Sequence, residues 1–387
     1  MKIIFITSKL NFQTSGGSVF DIDRKARSFL ALGNSVKCVT AFSKSNLIPG
    51  PQPYQIIEEN IIKTGLVEIS WAVYKILKKY EKEADFFHVD GHVFLYGAGL
   101  YKRLGGRVPI VAFFNRELGS FSRDVPVYEF GLADEDVANT FLKKLKKCAR
   151  LIAEKSIGML LANAIEITTF TSPILQMEYN KFGLEAKYQL ISPECGEIFR
   201  HGAKRTFNQK PLQLIAVGRL IPTKGFDLLI YAFSLLSSQD EYHLTIAGSG
   251  ADEARLKKMS KEFGLEKRIT FSGWLSRAQL FEILDSSDIF IVPRWRRELT
   301  SVGLIEAMSR GLPSIVSAGS ATAWQAGSAA VVFKFDDPQN LALAIQKLSD
   351  DKNLLEQLSE NAYKRISELR YTNWTPQLYA TMKQIKY

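Results

Sequence analysis

The chain has 387 residues, a formal net charge of +10, and 46% hydrophobic against 23% charged residues. These values are those of a globular protein with two or three domains and a sizeable core. The three cysteines are too scattered for a disulfide framework or a metal site, so we expect a reducing, cytoplasmic location. The apolar start is too short for a signal peptide, and no uncharged apolar run is long enough to span a membrane.

Short apolar strands and helices alternate through the first half of the chain. Predicted strands cover residues 2–6, 36–40, 86–89, 110–114, 165–169 and 188–192. Predicted helices cover residues 19–32, 68–80, 94–104, 141–158 and 173–182. A small flexible turn with Gly16 and Gly17 joins the first strand to the first helix. This order of strand, glycine-rich turn, helix and strand predicts a Rossmann-like domain over residues 1–195.

A polar segment over residues 194–209 predicts an interdomain linker, and the alternation starts again at Leu212. Predicted strands cover residues 212–217, 243–247, 269–272, 288–292, 314–317 and 331–333. Predicted helices cover residues 226–236, 251–263, 277–285, 338–350, 354–369 and 371–387. We therefore expect an α/β chain whose second Rossmann-like domain covers residues 210–370.

One stretch, residues 293–313, predicts a strand end, a loop, a helix and a helix stop in succession. Glu298 and Glu306 stand eight positions apart in it, and Thr300 or Ser301 is placed to cap the helix. Open α/β sheets bind ligands where their strands end, and the free N–H groups of a helix start suit a phosphate. We expect both acids to contact one nucleotide-sized ligand; ordinary helix-surface acids are the alternative.

Two cations, Arg219 and Lys224, lie on the predicted loop after the strand at 212–217. Fixed cations in such a loop can hold a diphosphate and stabilise the charge that grows on it as it leaves. A solvated loop with surface cations is the alternative. The acidic pair on a neighbouring loop favours the binding site.

These features resemble, in identity and order, the retaining GT-B glycosyltransferases of family 4, also called group 1. The resemblance is strong from 212 to 320 and rests on Gly218-Arg219-Leu220 with Lys224-Gly225, Ile246-Ala247-Gly248-Ser249-Gly250, Gly273-Trp274, the strand at 288–292 with Pro293, and the Glu298/Glu306 pair. In the first domain, Gly16-Gly17 and the segment at 32–36 also match.

The resemblance implies two Rossmann-like domains that face each other across a cleft, with the last helix, 371–387, returning to the first domain. It implies transfer of a sugar from a nucleoside diphosphate sugar, of the UDP or GDP type, to an acceptor hydroxyl. Retention at the anomeric carbon and independence of metals and other cofactors are part of that expectation. The acceptor is not identified; lipid-linked and glycan acceptors both fit polysaccharide, glycolipid or other glycoconjugate synthesis.

The resemblance also assigns roles to single residues. Arg219 and Lys224 would hold the donor diphosphate, Glu306 the ribose and Glu298 the hydroxyls of the donor sugar. Further donor contacts would come from backbone groups of Gly16, Gly17, Gly218, Gly273, Trp274, Thr300, Ser301 and Val302.

The chain departs from the family pattern at several positions. Many members carry a histidine after the strand at 110–114, where this chain has Asn115 and Arg116, which become acceptor-side candidates. Thr300 and Ser301 stand where glycine or phenylalanine is usual. Three further arginines precede the acidic pair: Arg294, Arg296 and Arg297. The favoured interpretation is a solvated basic loop, and contact with an anionic sugar or acceptor is the alternative.

Two other features have alternative interpretations. The Asp21-x-Asp23 pattern resembles a metal motif, but we expect two acids at a helix N-terminus. The basic, amphipathic segment 141–155 fits an anionic membrane surface about as well as it fits an ordinary helix packed on the core.

Three alternative functions remain. A non-catalytic GT-B partner subunit would keep the nucleotide pocket, and Asn115 is the feature that supports it. A nucleotide-sugar 2-epimerase of the same fold would need further acid and base groups, which the sequence does not identify. Nucleic-acid binding rests on net charge alone, without the interleaved basic and aromatic residues of a binding face, so we expect no nucleic-acid partner.

Overall fold

The computed structural model describes residues 1–12, 17–62, 65–114, 152, 154–192, 205–208, 210–236, 241–293 and 300–386. These residues form two compact units. The described part of the first unit lies within 1–114, 152–192 and 370–386, and that of the second lies within 205–369.

The described residues of the first unit form a seven-stranded parallel sheet in the order β3-β2-β1-β4-β5-β6-β7. The strands are β1 Lys2–Thr7, β2 Ser35–Thr40, β3 Gln55–Glu58, β4 Phe86–Asp90, β5 Ile110–Phe114, β6 Ile167–Phe170 and β7 Tyr188–Ile191. Strand β3 was not predicted, because it is a short, partly exposed edge strand with little apolar pattern.

Helices connect these strands as expected for a parallel sheet. They are α1 Gly17–Ala31, α2 Leu66–Tyr80, α3 His92–Arg103, α4 Met159–Ala162 and α5 Pro173–Lys181. The prediction that a helix ends at Gly158 is wrong, because a π-helical turn over Glu154–Gly158 leads directly into α4. Most of the predicted basic helix before it lies outside the described residues.

The described residues of the second unit form a six-stranded parallel sheet in the order β10-β9-β8-β11-β12-β13. The strands are β8 Leu212–Val217, β9 Tyr242–Ala247, β10 Ile269–Gly273, β11 Ile289–Val292, β12 Ser314–Ser317 and β13 Ala330–Phe333. Chain order reverses between β8 and β11, since β9 and β10 extend to one side and β12 and β13 to the other. Ligands of open α/β sheets bind at such a switch point.

The helices of the second unit are α6 Phe226–Ser234, α7 Glu253–Glu262, α8 Arg277–Ser286, α9 Val302–Ser309, α10 Ala321–Ala326, α11 Pro338–Asp350 and α12 Lys352–Glu368. Ser276 caps α8 in a capping box with Gln279, and Asp351 caps α12. The short helix α10 was not predicted, because its few residues carry no helical periodicity.

The last helix, α13 Tyr371–Lys386, belongs to the first unit. It packs against α1 and β7, and it buries Leu378 and Met382 beside Phe29 of α1. Lys386 adds an ion pair with Asp85 at 3.0 Å. The chain therefore returns to the unit in which it began.

In the described ranges, no helix is both long and apolar enough to cross a membrane.

Candidate functional site

The loops after β8 and β11 meet at the switch point of the second sheet. Leu214 of β8 pairs with Ile289 of β11, so the two strands are neighbours and their carboxyl ends share one edge. Helix α9 begins against that edge: a Cβ on Gly303 would lie 3.6 Å from the Cβ of Val217 and 3.4 Å from the ring of Phe290. The arrangement brings the predicted cationic loop next to the predicted helix start.

The glycines after β8 and β9 allow two loops to touch. Gly248 has φ +140°, and a Cβ there would collide with the carbonyl oxygen of Gly218. The N–H of Gly218 donates to the carbonyl of Ala247 at 2.9 Å, and the N–H of Leu220 to that of Ser249. A side chain at Gly248 would push the loop that carries Arg219 away from the sheet edge.

The two predicted cations have different surroundings. Arg219 is exposed, whereas Lys224 is buried at the end of a 3₁₀ turn over Pro222–Lys224. Gly225 follows at φ +70°, a left-handed conformation that glycine adopts without strain, and it starts α6. Arg219 is therefore accessible to a ligand, whereas Lys224 is enclosed at the end of its turn.

The start of α9 offers two backbone donors. Ser301 is the N-cap: its Oγ accepts the N–H of Leu304 at 3.2 Å. The N–H of Ser301 itself donates to Oε1 of Gln325 at 2.8 Å. In the described part of the chain, the N–H groups of Val302 and Gly303 have no protein acceptor. Of the amides predicted to meet a phosphate, that of Ser301 is therefore already bonded.

Glu306 lies on the second turn of α9 and is 8% exposed. The Nε of Arg277 is 3.5 Å from its Oε1. Arg277 begins α8, directly after the loop that leaves β10, and its guanidinium also lies 5.3 Å from the ring of Phe281. Sequence reasoning missed Arg277, although its place at a helix start near Gly273 was a usable signal. A buried acid with one cationic neighbour can accept hydrogen bonds from ligand hydroxyls.

The strand end at Gly273 has an unusual backbone. Gly273 adopts φ +70°, and its carbonyl accepts the N–H of Gly248 at 2.8 Å. The following Trp274 is 68% exposed. The backbone at this position therefore turns at the sheet edge while the indole faces solvent.

Several predicted site residues lie outside the described residues: Gly16, Asn115, Arg116, Arg294, Arg296, Arg297 and Glu298. Gly17 is the first residue of α1. Thr300 is described and half-buried, directly before the cap at Ser301. The predicted basic segment is described only at Ile152 and over residues 154–155.

The first unit holds a buried group of charges that the sequence did not predict. Lys25 of α1 pairs with Asp21 at 2.5 Å, and both side chains are almost completely buried. The ammonium of Lys25 lies 3.1 Å from the ring centre of Phe113. Asp90 ends β4 nearby, and His88 on the same strand stacks on Phe5. We call Asp21, Lys25, His88 and Asp90 the buried charge group.

The prediction of N-terminal acids at Asp21 and Asp23 is wrong. Helix α1 begins at Gly17 and has no acid in its first turn. Both aspartates instead pair with a cation four positions later, Asp21 with Lys25 and Asp23 with Arg27. The error arose because the predicted helix began two residues too late.

Burial sets the protonation of this group. Desolvation raises the pKa of Asp90 to about 7, although the nearby ammonium of Lys25 opposes the shift. Desolvation likewise raises the pKa of Asp21. It lowers the pKa of His88 well below its usual value, and the charge of Lys25 adds to that effect. His88 is therefore neutral at neutral pH.

Among the residues that the structure describes, no three His, Cys, Asp or Glu side chains are close enough together to hold a metal ion.

The second unit matches a known protein family. The family model described as "Glycosyl transferases group 1" matches residues 198–365. Over this segment the chain is similar to the group 1 glycosyltransferases. The match includes Arg219, Lys224, Gly273 and α9, so the switch-point loops lie inside the part of the chain that defines the family.

The curated relatives that this chain matches align with it over about half of their own length. Mannosylfructose-phosphate synthase of Agrobacterium fabrum is 27% identical over 247 residues, 58% of this chain and 54% of that protein. The lipopolysaccharide core biosynthesis glycosyltransferase LpsD of Rhizobium meliloti is 31% identical over 166 residues, 41% of this chain and 47% of that protein.

Solved structures match the fold of this chain along nearly its whole length. Sucrose-phosphate synthase from Thermosynechococcus elongatus superposes with a TM-score of 0.72 at 17% identity, covering 100% of this chain and 99% of that one. Anabaena HepE in complex with UDP gives 0.70 at 15% identity, covering 99% and 100%. With two parallel Rossmann-like sheets, the chain has the GT-B fold, as its sequence predicted.

Proposed function

We propose that this chain is a group 1 glycosyltransferase that transfers a sugar from a nucleoside diphosphate sugar to an acceptor hydroxyl, with retention at the anomeric carbon. One observation supports the proposal above the others: Arg219, the first amides of α9 and the buried acid Glu306 all lie at or beside the switch point of one sheet. Cations and helix amides suit a diphosphate, and a buried carboxylate suits ribose hydroxyls.

The leaving diphosphate needs stabilisation because negative charge grows on it as the glycosidic bond breaks. Arg219 and Lys224 supply positive charge, and the N–H groups of Val302 and Gly303 supply preorganised donors. These protein groups can do the work of a metal ion, so we propose a reaction that needs no metal or other cofactor. Glu298 is proposed to orient the donor sugar.

The proposed donor base is uracil or guanine. The matched structures of Anabaena HepE hold UDP and UDP-glucose, which supports uracil as the first base to test. Gly273 ends β10 and Trp274 follows it, three residues before Arg277, and their backbone is proposed to contact the base. The proposed acceptor is a glycan or lipid-linked hydroxyl that Asn115 and Arg116 help to bind.

A donor panel tests the proposal directly. UDP-, GDP- and ADP-sugars are scored by thermal shift and by nucleotide release, with and without EDTA. We expect one base to raise the melting temperature and to be released when acceptor is added, equally in both conditions. The absence of any shift would overturn the pocket, and loss of release in EDTA would overturn metal independence.

The same panel separates the alternatives. A thermal shift without release on any acceptor favours a non-catalytic GT-B partner subunit. Conversion of the donor to its C2 epimer, seen by NMR of the sugar, favours a 2-epimerase. For a transferase, the anomeric coupling constants of donor and product decide between retention and inversion.

A separate proposal concerns location. We propose that the segment 141–155 attaches the protein to the inner face of a membrane through its lysines and its apolar face. Flotation with vesicles that contain anionic lipid is expected to carry the wild type. A variant with Lys143, Lys144, Lys146 and Lys147 changed to Gln is expected to stay behind, and equal flotation of both would contradict the proposal.

A further inference from the structure

Gln325 connects two helices of the second unit at the proposed diphosphate site. It lies on α10, its side chain is fully buried, and its Oε1 accepts the N–H of Ser301 at 2.8 Å. Ser301 is the cap of α9, so the contact with Gln325 fixes the position of the residue at which α9 begins.

The backbone of Gln325 is itself held from the opposite side. Arg365 of α12 donates from Nε to the carbonyl of Gln325 at 3.0 Å and from Nη2 to that of Trp324 at 2.7 Å. At the other end of α10, the Oγ of Ser320 accepts the N–H of Ala323 at 3.1 Å. With both ends of α10 fixed, the Gln325 amide has little freedom to move away from Ser301.

The side-chain nitrogen of Gln325 differs from its oxygen in its hydrogen bonding. An amide side chain carries an acceptor oxygen and two N–H donors. Among the residues that the structure describes, the buried Nε2 of Gln325 has no hydrogen-bond partner. A buried donor without a partner is costly, so it calls for an explanation. Because Nε2 and Oε1 share one carbon, its N–H groups lie at the start of α9.

We propose that Gln325 is a positioning residue for the donor diphosphate. Its oxygen holds Ser301, so that Val302 and Gly303 present their amides, and its N–H groups add positive potential to the same end of the helix. The inference rests on the proposed function. It adds a residue that acts on the diphosphate site indirectly, through the start of α9.

Replacing the amide by a carboxyl group separates the two halves of this role. Gln325→Glu keeps an acceptor for Ser301, but above its pKa it puts negative charge where the amide offers N–H groups. When protonated, the carboxylic acid offers an O–H donor beside its acceptor oxygen, in place of the two N–H donors of the amide. The variant therefore introduces a pH dependence that a merely structural residue would not produce.

The experiment measures the affinities for UDP and GDP, and for the matching nucleosides, by calorimetry at pH 6 and pH 8. For the nucleotide that the wild type binds, we expect Gln325→Glu to lose about tenfold or more in affinity at pH 8 and to recover part of it at pH 6. Nucleoside affinity should not change, because nucleosides carry no phosphate.

Two further variants keep the test decisive. Gln325→Met, of similar size and uncharged, should lose diphosphate affinity equally at both pH values, and it serves if the glutamate variant does not fold. Thr322→Val is the control, because Thr322 is buried on the same helix and bonds to Ser320. It should bind the nucleotide as the wild type does.

The outcomes are distinct. Equal diphosphate affinity of Gln325→Glu and wild type at both pH values would overturn the role of Gln325 alone. The same loss in Thr322→Val would also overturn it, since any change in α10 would then suffice. If the wild type bound neither UDP nor GDP, the proposed function itself would fail, and this inference with it.

Discussion

The carboxyl ends of the two sheets handle charge in opposite ways. At the second sheet, Arg219 is exposed, and Arg277 lies 3.5 Å from Glu306 at a helix start. At the first sheet, Asp90 at the end of β4 and the Asp21–Lys25 pair of α1 are buried. The same architecture therefore presents charge to solvent in one unit and encloses it in the other.

The difference separates two uses of a polar side chain. A charge that must meet a ligand lies on a loop, where glycines such as Gly218 and Gly248 bring the backbone close. A charge that is enclosed needs a partner, because desolvation is costly, and the partner must come from the same packed layer. Lys25 meets that requirement for Asp21.

The largest effect is expected from breaking the buried pair. Lys25→Met leaves the Asp21 carboxylate buried without its cation, and we expect the free energy of unfolding to fall by about 3–5 kcal/mol. Arg27→Met, on the same helix but half-exposed, should cost less than about 1 kcal/mol. Urea unfolding measures both, and similar losses would show that burial is not the cause.

The second effect concerns activity alone. Arg219→Ala removes an exposed cation from the switch point, and we expect kcat to fall by about 10²–10³-fold with little change in melting temperature. Lys258→Ala is the control, since Lys258 is an exposed cation of the same unit, 3.7 Å from Glu262. A wild-type rate for Arg219→Ala would remove this residue from the site.

The third effect is a pH dependence of stability. The pKa of Asp90 is about 7 in the folded protein, above its ordinary value of 3.8, so the folded state binds the proton more tightly. The contribution of this proton to the free energy of unfolding is complete below the unfolded pKa and is lost as the pH rises through 7. Between pH 5.5 and pH 7 the stability lost through Asp90 amounts to about 1.6 kcal/mol.

Asp90→Asn isolates that contribution. Asp21 has a raised pKa and acts in the same direction, whereas neutral His88 acts in the opposite one. Urea unfolding at pH 5.5 and 7 measures the free energy of unfolding of the wild type and of Asp90→Asn. The wild type should lose more stability than the variant between the two pH values, and that excess is the contribution of Asp90. Identical pH profiles of the two proteins would contradict the raised pKa.

The smallest effect is expected at Trp274. Its side chain is 68% exposed, so Trp274→Ala should change the unfolding free energy by less than about 0.5 kcal/mol. If the proposed base contact is made by the backbone, nucleotide affinity should change little as well. A loss as large as that of Arg219→Ala would show that the indole itself binds the base.

The sequence predicted the fold because buried parallel strands and helices have different periods. Strands β5, β8 and β12 have the bounds predicted for them, since each is a short apolar run between polar turns. Ser301 caps α9 as one of the two predicted caps. Strand β3 and helix α10 escaped prediction because segments this short have too few residues to show a period.

The sequence did not predict which residues contact the site residues. Local pattern singled out Glu306 and Ser301, but Arg277 and Gln325 reach them from other segments of the chain. Similarly, Asp21 and Asp23 were predicted as helix-start acids, and only packing showed that one of them is enclosed with Lys25.

The sequence by itself determined the two α/β units, the group 1 motifs and the loops that carry their charges, because strand period, glycine turns and caps are local properties. Only the tertiary structure decided which of those charges are enclosed, that the Ser301 amide is bonded to Gln325, and that Arg277 stands beside Glu306. Burial and pairing depend on residues distant in the chain, and their energies come from the dielectric and the contacts that folding creates.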